Sequence, residues 1–238
     1  MNTGGAAPGA PGPLALVGGG EFQPGNEAQD RVLIAAAGDG PAYVLPTAAA
    51  RQDPARAVAN AVRWFADLGR PLEELPVLTR AQADDPALAE RAGLGRLFYL
   101  VGGDPGHLLA TLADSALWRA MRDAWRGGAA LAGSSAGAMV LGEHVLLRER
   151  WPDTARRRTT PGLGLVPGVA VVPHYGGGGG RWRLESDGQP TLLGLDERTA
   201  ALWRAGDGWR AHGPGSVTVV GRGSFGPGEP ILGLRDPW

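Results

Sequence analysis

The run Ala129-Ala130-Leu131-Ala132 passes directly into Gly133-Ser134-Ser135-Ala136-Gly137, and this junction constrains the fold more than any other stretch. Small apolar residues read as a strand covered on both faces, and Gly-x-Ser-x-Gly after such a strand reads as a sharp turn into a helix. The glycines stand where a side chain would clash, and the central residue is held in a strained conformation with its hydroxyl exposed. Residues 136–141 continue as a short apolar helix whose first amides would face an oxyanion beside Ser135. Ser135 is therefore a candidate nucleophile. With 40 Gly in the chain, the pattern alone would also fit an ordinary turn, so its weight depends on the flanking elements and on partner side chains.

The flanking elements fit. Strands are expected at Leu14-Ala-Leu-Val17, Ala42-Tyr-Val-Leu45, Pro76-Val-Leu-Thr79 and Leu97-Phe-Tyr-Leu-Val101. Helices are expected over residues 26–37, 54–68, from Asp85-Pro86, from Asp104-Pro105 to about Leu112, and over 118–126. Val58, Ala61, Val62, Phe65 and Leu68 recur at helical spacing, and Asp-Pro pairs cap and start helices. Such alternation predicts an α/β fold, a single three-layer domain with a mainly parallel sheet and helices on both faces, and a ligand site at the carboxyl ends of the strands. Beyond residue 190, short runs punctuated by glycine predict a C-terminal antiparallel hairpin region. Residues 1–13 lack the charged start and apolar run of a signal peptide and are expected to be a disordered tail ahead of one domain over 14–238.

Composition narrows the chemistry. All 23 basic residues are Arg, so a lysine Schiff base, a serine–lysine dyad and a Walker lysine are excluded. Cysteine is absent, which excludes thiol nucleophiles, disulfides and cysteine-ligated metals. A net charge of −1 without a long one-sign face gives no reason to expect nucleic acid or a membrane as partner, and no segment is apolar for the roughly 18 residues a span requires. The Arg156-Arg157-Arg158 run is expected on a solvated surface. A cytoplasmic location is the default expectation.

A serine nucleophile needs a base, usually His oriented by a carboxylate. Of the four histidines, His107 lies in the first turn of a helix, His144 is expected to end the elbow helix and His212 belongs to the terminal hairpin region. His174 directly follows the apolar run Val169-Ala-Val-Val172 and Pro173, at the end of another strand, and is the best base. Its separation of 39 residues from Ser135 is short for an α/β-hydrolase esterase. Glu143, expected on the elbow helix, points away; Glu149 and Asp153 fall in a loop able to return to His174, with Asp153 narrowly preferred. The oxyanion amides are expected from Ala136 and from Gly103 in the Gly102-Gly103-Asp104 turn. Arg181 and Arg183 stand near His174 as candidates for holding a substrate carboxylate, and Gly176-Gly177-Gly178-Gly179-Gly180 as a mobile loop or lid.

Taken in order, Gly18-Gly-Gly-Glu21, Val44-Leu-Pro-Thr47, Val101-Gly-Gly-Asp104, Gly133-Ser-Ser-Ala-Gly-Ala138, Pro173-His-Tyr175, Leu193-Gly-Leu-Asp-Glu197 with Thr199-Ala200, and residues 213–220 resemble the serine-peptidase family that contains dipeptidase E and cyanophycinase. The resemblance implies a fold similar to class I glutamine amidotransferase domains, with serine at the elbow in place of cysteine. It implies hydrolysis through an acyl-enzyme without metal or organic cofactor, Ser135 matching the nucleophile and His174 the base. The family's acid varies between Asp and Glu and in position, so Asp153 and Glu149 both stand. The implied substrate is a small aspartyl or isoaspartyl di- or oligopeptide; a homodimer is compatible with the sequence. Cyanophycinases typically carry Gln where this chain has Pro105 and Pro173. The alternative expectation is a non-catalytic amidotransferase-like binding protein that lacks a working acid.

Overall fold

A computed structural model of the chain describes residues 9–148, 156–177, 183–184 and 190–237. At its centre lie four short strands, β1 (Leu14–Val17), β2 (Ala42–Leu45), β4 (Leu97–Leu100) and β5 (Ala130–Ser134), in which every residue is buried. They read as unbroken apolar runs because both faces of the sheet are covered. Alternate residues take opposite sides: Leu14, Leu16, Leu45, Leu100 and Leu131 belong to one apolar cluster, Ala15, Val17, Val44, Tyr99 and Ala132 to another. The first cluster is completed by helices α4 (Pro86–Gly93), α5 (Pro105–Leu112), α6 (Ala116–Arg126) and α7 (Ala136–Leu141), the second by α1 (Glu27–Ala37) and α2 (Pro54–Asp67). A further short helix, α3 (Arg80–Ala83), starts at a capping box made by Thr79 and Gln82.

The order of this sheet is β12-β11-β1-β5-β4-β2-β3, where β3 is Glu73–Glu74 and β11 (Ala200–Arg204) and β12 (Gly208–His212) form a hairpin. The pairings from β1 through β3 are parallel, and β11 runs antiparallel to both β1 and β12. The fold is thus mixed α/β with helices on both faces of a mainly parallel sheet and an antiparallel hairpin at its edge. The strand expected at Pro76-Val-Leu-Thr79 is instead the two-residue β3. Pro76 has no N–H for a ladder, and the chain turns there, with Val77 N–H bonded to Leu75 O at 2.8 Å.

A second sheet departs from the single sheet expected. Its order is β14-β13-β10-β8-β6-β7-β9, made of β6 (Gly142–Arg148), β7 (Arg156–Pro161), β8 (Val166–Val172), β9 (Arg183–Leu184), β10 (Thr191–Leu195), β13 (Val217–Val219) and β14 (Gly223–Phe225). β6, β8 and β10 are parallel neighbours, whereas β7 pairs antiparallel to β6. Val145, Val166, Val171, Leu193 and Val217 join the same cluster as Leu16 and Leu131, so one apolar core connects the sheets. Glu143 and His144, expected on the elbow helix, lie on β6: α7 ends at Leu141 and Gly142 turns the backbone extended, at φ −66° and ψ 163°.

Of the expected tail, residues 9–13 are described, and Gly12 and Pro13 are buried. Gly12 N–H reaches Trp125 O at 2.9 Å and Trp125 Nε1 donates back to Gly12 O at 2.9 Å, so this segment is part of the packing. Among the described residues no helix is long and apolar enough to cross a membrane.

Candidate active site

Because β1, β5 and β4 run parallel, the Gly18-Gly-Gly-Glu21 turn, the serine elbow and the Gly102-Gly103 turn emerge side by side at one edge of the sheet. Ser135 caps α7 with φ 48° and ψ −109°, a conformation that a non-glycine residue holds at an expense of about 1–3 kcal/mol. Its N–H is bonded to Val17 O at 2.9 Å and its carbonyl accepts from Met139 N–H at 3.0 Å, which fixes the turn from both sides. Both glycines of the elbow are required by close approach. A Cβ on Gly133 would stand 2.4 Å from the carbonyl carbon of Gly137, and one on Gly137 would stand 2.3 Å from Leu100 O.

His174 leaves the end of β8 with φ 52°. Its N–H is held by Gly18 O at 2.9 Å, and its Nε2 lies 3.1 Å from Ser135 Oγ. Gly19, at φ 109°, leaves room for the ring: a Cβ there would come within 2.2 Å of His174 Cε1. On the far side of the imidazole, Nδ1 lies 2.9 Å from Glu197 Oε1. A carboxylate at Nδ1 keeps the proton there and leaves Nε2 as the acceptor facing the hydroxyl. The side chains of His174 and Glu197 are 42% and 56% exposed, so water screens the pair and its effect is orientation more than stability.

The loop carrying Glu197 is itself fixed. Arg198 N–H bonds Gly19 O at 2.7 Å, and Asp196 accepts from Gly176 N–H at 2.9 Å through Oδ1 and from Ser216 N–H at 3.0 Å through Oδ2. Thr199 Oγ1 donates to Glu197 O at 3.2 Å and accepts from Gly215 N–H at 2.9 Å.

Ser135 and His174 open into a cleft of about 600 Å³ that Gly103 and Ala136 also line. Its other wall is the β6–β7 hairpin, which contributes Arg148, Arg157 and Arg158. Arg148 pairs across the ladder with Arg157, and Leu147 with Arg158. Of the basic run expected on a solvated surface, Arg157 and Arg158 line the cleft; Arg158 is exposed, as expected, whereas Arg157 is buried. Hairpin pairing, invisible to a reading of charge alone, places Arg157 on the inner face. The hydroxyl of Ser135 and the imidazole of His174 thus share one cleft with Gly103, Ala136 and arginine side chains.

The expected acids, Asp153 and Glu149, lie outside the described residues, as do Arg181 and Gly178-Gly179-Gly180. Arg183 lies on β9, beside Arg156 of β7. His107 Nε2 is bonded to Leu78 O at 2.9 Å, and Glu143 Oε2 accepts from Gly168 N–H at 2.5 Å; neither faces Ser135. His212 ends β12, where burial lowers its pKa. Among the described residues no group of three or more His, Asp or Glu side chains is placed to hold a metal ion.

Glu197 follows His174 in the chain and so lies outside the Ser135–His174 interval in which the sequence places the acid. A signal existed. β8 and β10 are parallel neighbours with Val172 opposite Gly194. His174 follows the end of β8 by two residues, as Glu197 does the end of β10. By this register the position opposite His174 is Asp196, so the Asp196-Glu197 pair after the second apolar run falls beside the histidine.

Comparison with known proteins identifies the family. The model of Peptidase family S51 matches residues 14–209. A cyanophycinase of Trichormus variabilis is 31% identical over 235 residues, covering 94% of this chain and 78% of its own. A cyanophycinase of Geminocystis herdmanii is 30% identical over 218 residues, covering 87% and 79%. A crystal structure of a peptidase from an acI-B1 Actinobacterium superposes with a TM-score of 0.82 at 31% identity, over 94% of this chain and 98% of that one. A putative peptidase E protein from Listeria monocytogenes EGD-e shares the fold, with a TM-score of 0.59 at 15% identity over 86% and 99%. The family match spans residues 14–209 and a 31% identical relative covers 94% of this chain, so this chain is a peptidase and belongs to Peptidase family S51.

Proposed function

We propose that this peptidase is a serine hydrolase of aspartyl or isoaspartyl di- and oligopeptides, with Ser135 as nucleophile, His174 as general base and Glu197 as the acid that orients it. The carrying observation is the continuous hydrogen-bonded path from Ser135 Oγ through His174 to Glu197, opening into an arginine-lined cleft.

Ser135 Oγ attacks the substrate carbonyl while its proton moves to His174 Nε2, and Glu197 stabilises the imidazolium through Nδ1–H. The carbonyl oxygen, now an oxyanion, accepts from the Gly103 and Ala136 amides. Collapse breaks the C–N bond, and His174 returns the proton to the departing amine. Water then attacks the acyl-Ser135 ester as His174 takes its proton; collapse breaks the bond from the acyl carbon to Ser135 Oγ, His174 returns the proton to Oγ, and the acid product leaves.

The substrate class rests on the cleft and the relatives. Arg148, Arg157 and Arg158 suit a carboxylate near the scissile bond, and the relatives include cyanophycinases and a putative peptidase E. Pro105 and Pro173, both lining the cleft, depart from the cyanophycinase pattern and favour short peptides over polymer. The contrary reading, a binding module without turnover, drew on the lack of an assignable acid; a carboxylate 2.9 Å from Nδ1 counts against it.

A panel of α- and β-aspartyl dipeptides assayed with wild type and Ser135→Ala tests nucleophile and substrate together. Hydrolysis of an aspartyl member by wild type alone supports the proposal; equal activity of both proteins, or no aspartyl member cleaved, overturns it.

A further inference from the structure

Behind the nucleophile, one carboxylate bridges two turns. Glu21 Oε2 accepts from the hydroxyl of Ser134 at 2.8 Å, and Glu21 Oε1 accepts from Gly102 N–H at 3.0 Å. Ser134, fully buried, immediately precedes Ser135, and Gly102 immediately precedes Gly103. A single side chain thus grips both the residue before the nucleophile and the residue before a proposed oxyanion donor.

We propose that Glu21 is a positioning residue for the peptidase reaction, setting the distance between the Gly103 amide and Ser135 Oγ; this rests on the roles given to Ser135 and Gly103 above. Glu21 occupies the Gly102 amide, so of the two successive glycine amides in this turn Gly103 N–H is the one left for the cleft that Gly103 lines. Space at the join is tight, since a Cβ on Gly102 would lie 3.1 Å from Glu21 Oε1 and 3.3 Å from Ser135 Cβ. The clamp is anchored behind: Asn26 Nδ2 donates to Gly20 O at 2.8 Å and to Gln23 O at 3.0 Å, fixing the turn that carries Glu21. The same turn holds His174 through Gly18 O and the acid's loop through Gly19 O. One short segment therefore sets nucleophile, oxyanion donor, base and acid relative to one another. Glu21 acts only through Ser134 and Gly102, and the proposal gives it no contact with substrate.

The test uses three variants, with kcat and KM measured on the best aspartyl dipeptide and the rate of fluorophosphonate labelling at Ser135. Glu21→Gln keeps both contacts, because its amide oxygen accepts from Gly102 N–H and its amide N–H donates to Ser134 Oγ; kcat stays within about threefold of wild type. Glu21→Ala frees the two turns, and kcat falls by about 10- to 100-fold with KM nearly unchanged and labelling slowed in parallel, as expected when a donor shifts by a fraction of an ångström. Glu21→Ala within twofold of wild-type kcat overturns the proposal, as does a Gln variant as impaired as Ala, which would assign the effect to charge. Should Glu21→Ala not fold, Ser134→Ala removes one arm alone; a fall in kcat of about threefold or more is expected, and an unchanged kcat overturns the clamp. Failure of wild type to label at Ser135 or to cleave the dipeptide overturns the catalytic roles themselves, whereas a labelled, active wild type with an unimpaired alanine variant overturns the clamp alone.

Discussion

Glu197 Oε1 lies 2.9 Å from His174 Nδ1, although the two residues sit on different strand ends 23 positions apart. The contact gives the imidazole a fixed orientation toward Ser135. Glu197→Gln should therefore lower kcat by about 10²–10⁴, because an amide in this place stabilises neither the working tautomer nor the imidazolium. Steady-state kinetics check this, with Asp153→Asn and Glu149→Gln expected to keep near-wild-type kcat. Both side chains of the pair are largely exposed, so the Tm of Glu197→Gln should move by no more than about 4 °C.

Ser135→Ala should abolish turnover while leaving substrate affinity within about threefold, since the cleft walls and amides are untouched. Isothermal titration with a cleavable dipeptide, read without turnover in the variant, measures this. The variant should also lose all fluorophosphonate labelling.

Gly19→Ala tests the packing beneath the base. The added methyl would overlap His174 Cε1 at 2.2 Å, and φ 109° is itself unfavourable for alanine. The ring must swing away from Ser135, so kcat should drop by about 10²-fold or more. Activity within a few-fold of wild type would show that the imidazole is not confined as described.

Substrate charge should be read by the arginine wall. Arg158→Met keeps much of the side-chain bulk and removes the cation; KM for acidic dipeptides should rise about 5- to 10-fold, while neutral dipeptides are cleaved no worse. Raising the salt concentration should weaken binding of acidic substrates to wild type more than to the variant. Parallel kinetics on both substrate types at two ionic strengths decide this.

Asp30's contribution to stability should fall as the solution is made less acidic. Burial pushes Asp30 up to about 7 from 3.8, aided by the charges of Glu27 and Glu21 and opposed by the hydrogen bond from Trp64 Nε1. The folded state then binds more protons than the unfolded chain between these values, and this group's contribution declines from pH 4 to pH 7 before levelling. Asp30→Asn should remove that decline and raise Tm at pH 8, as thermal melts across pH 4–8 would reveal. An unchanged slope would show that Asp30 keeps an ordinary titration.

The strand at Ala130–Ser134 and the helix at Ala136–Leu141 were legible because both are local. Small apolar residues and two obligatory glycines leave one backbone path, whatever surrounds it. The position of His174 was legible for a similar reason, since an apolar run ending at Val172 puts the following histidine at a strand end. By itself, then, the sequence determined a serine on an elbow, a histidine at another strand's end, a mainly parallel sheet under helices, and the exclusion of lysine and cysteine chemistry. Tertiary structure decided which groups meet. Within the second sheet, β6 and β7 carry no period-two apolar signal and become strands only by pairing. That pairing carries Arg148, Arg157 and Arg158 into the cleft, and the parallel register of β8 with β10 brings Glu197 to His174. Contacts between distant segments depend on register and layer packing, which no short stretch encodes, whereas a turn that only glycine can make is written in five residues.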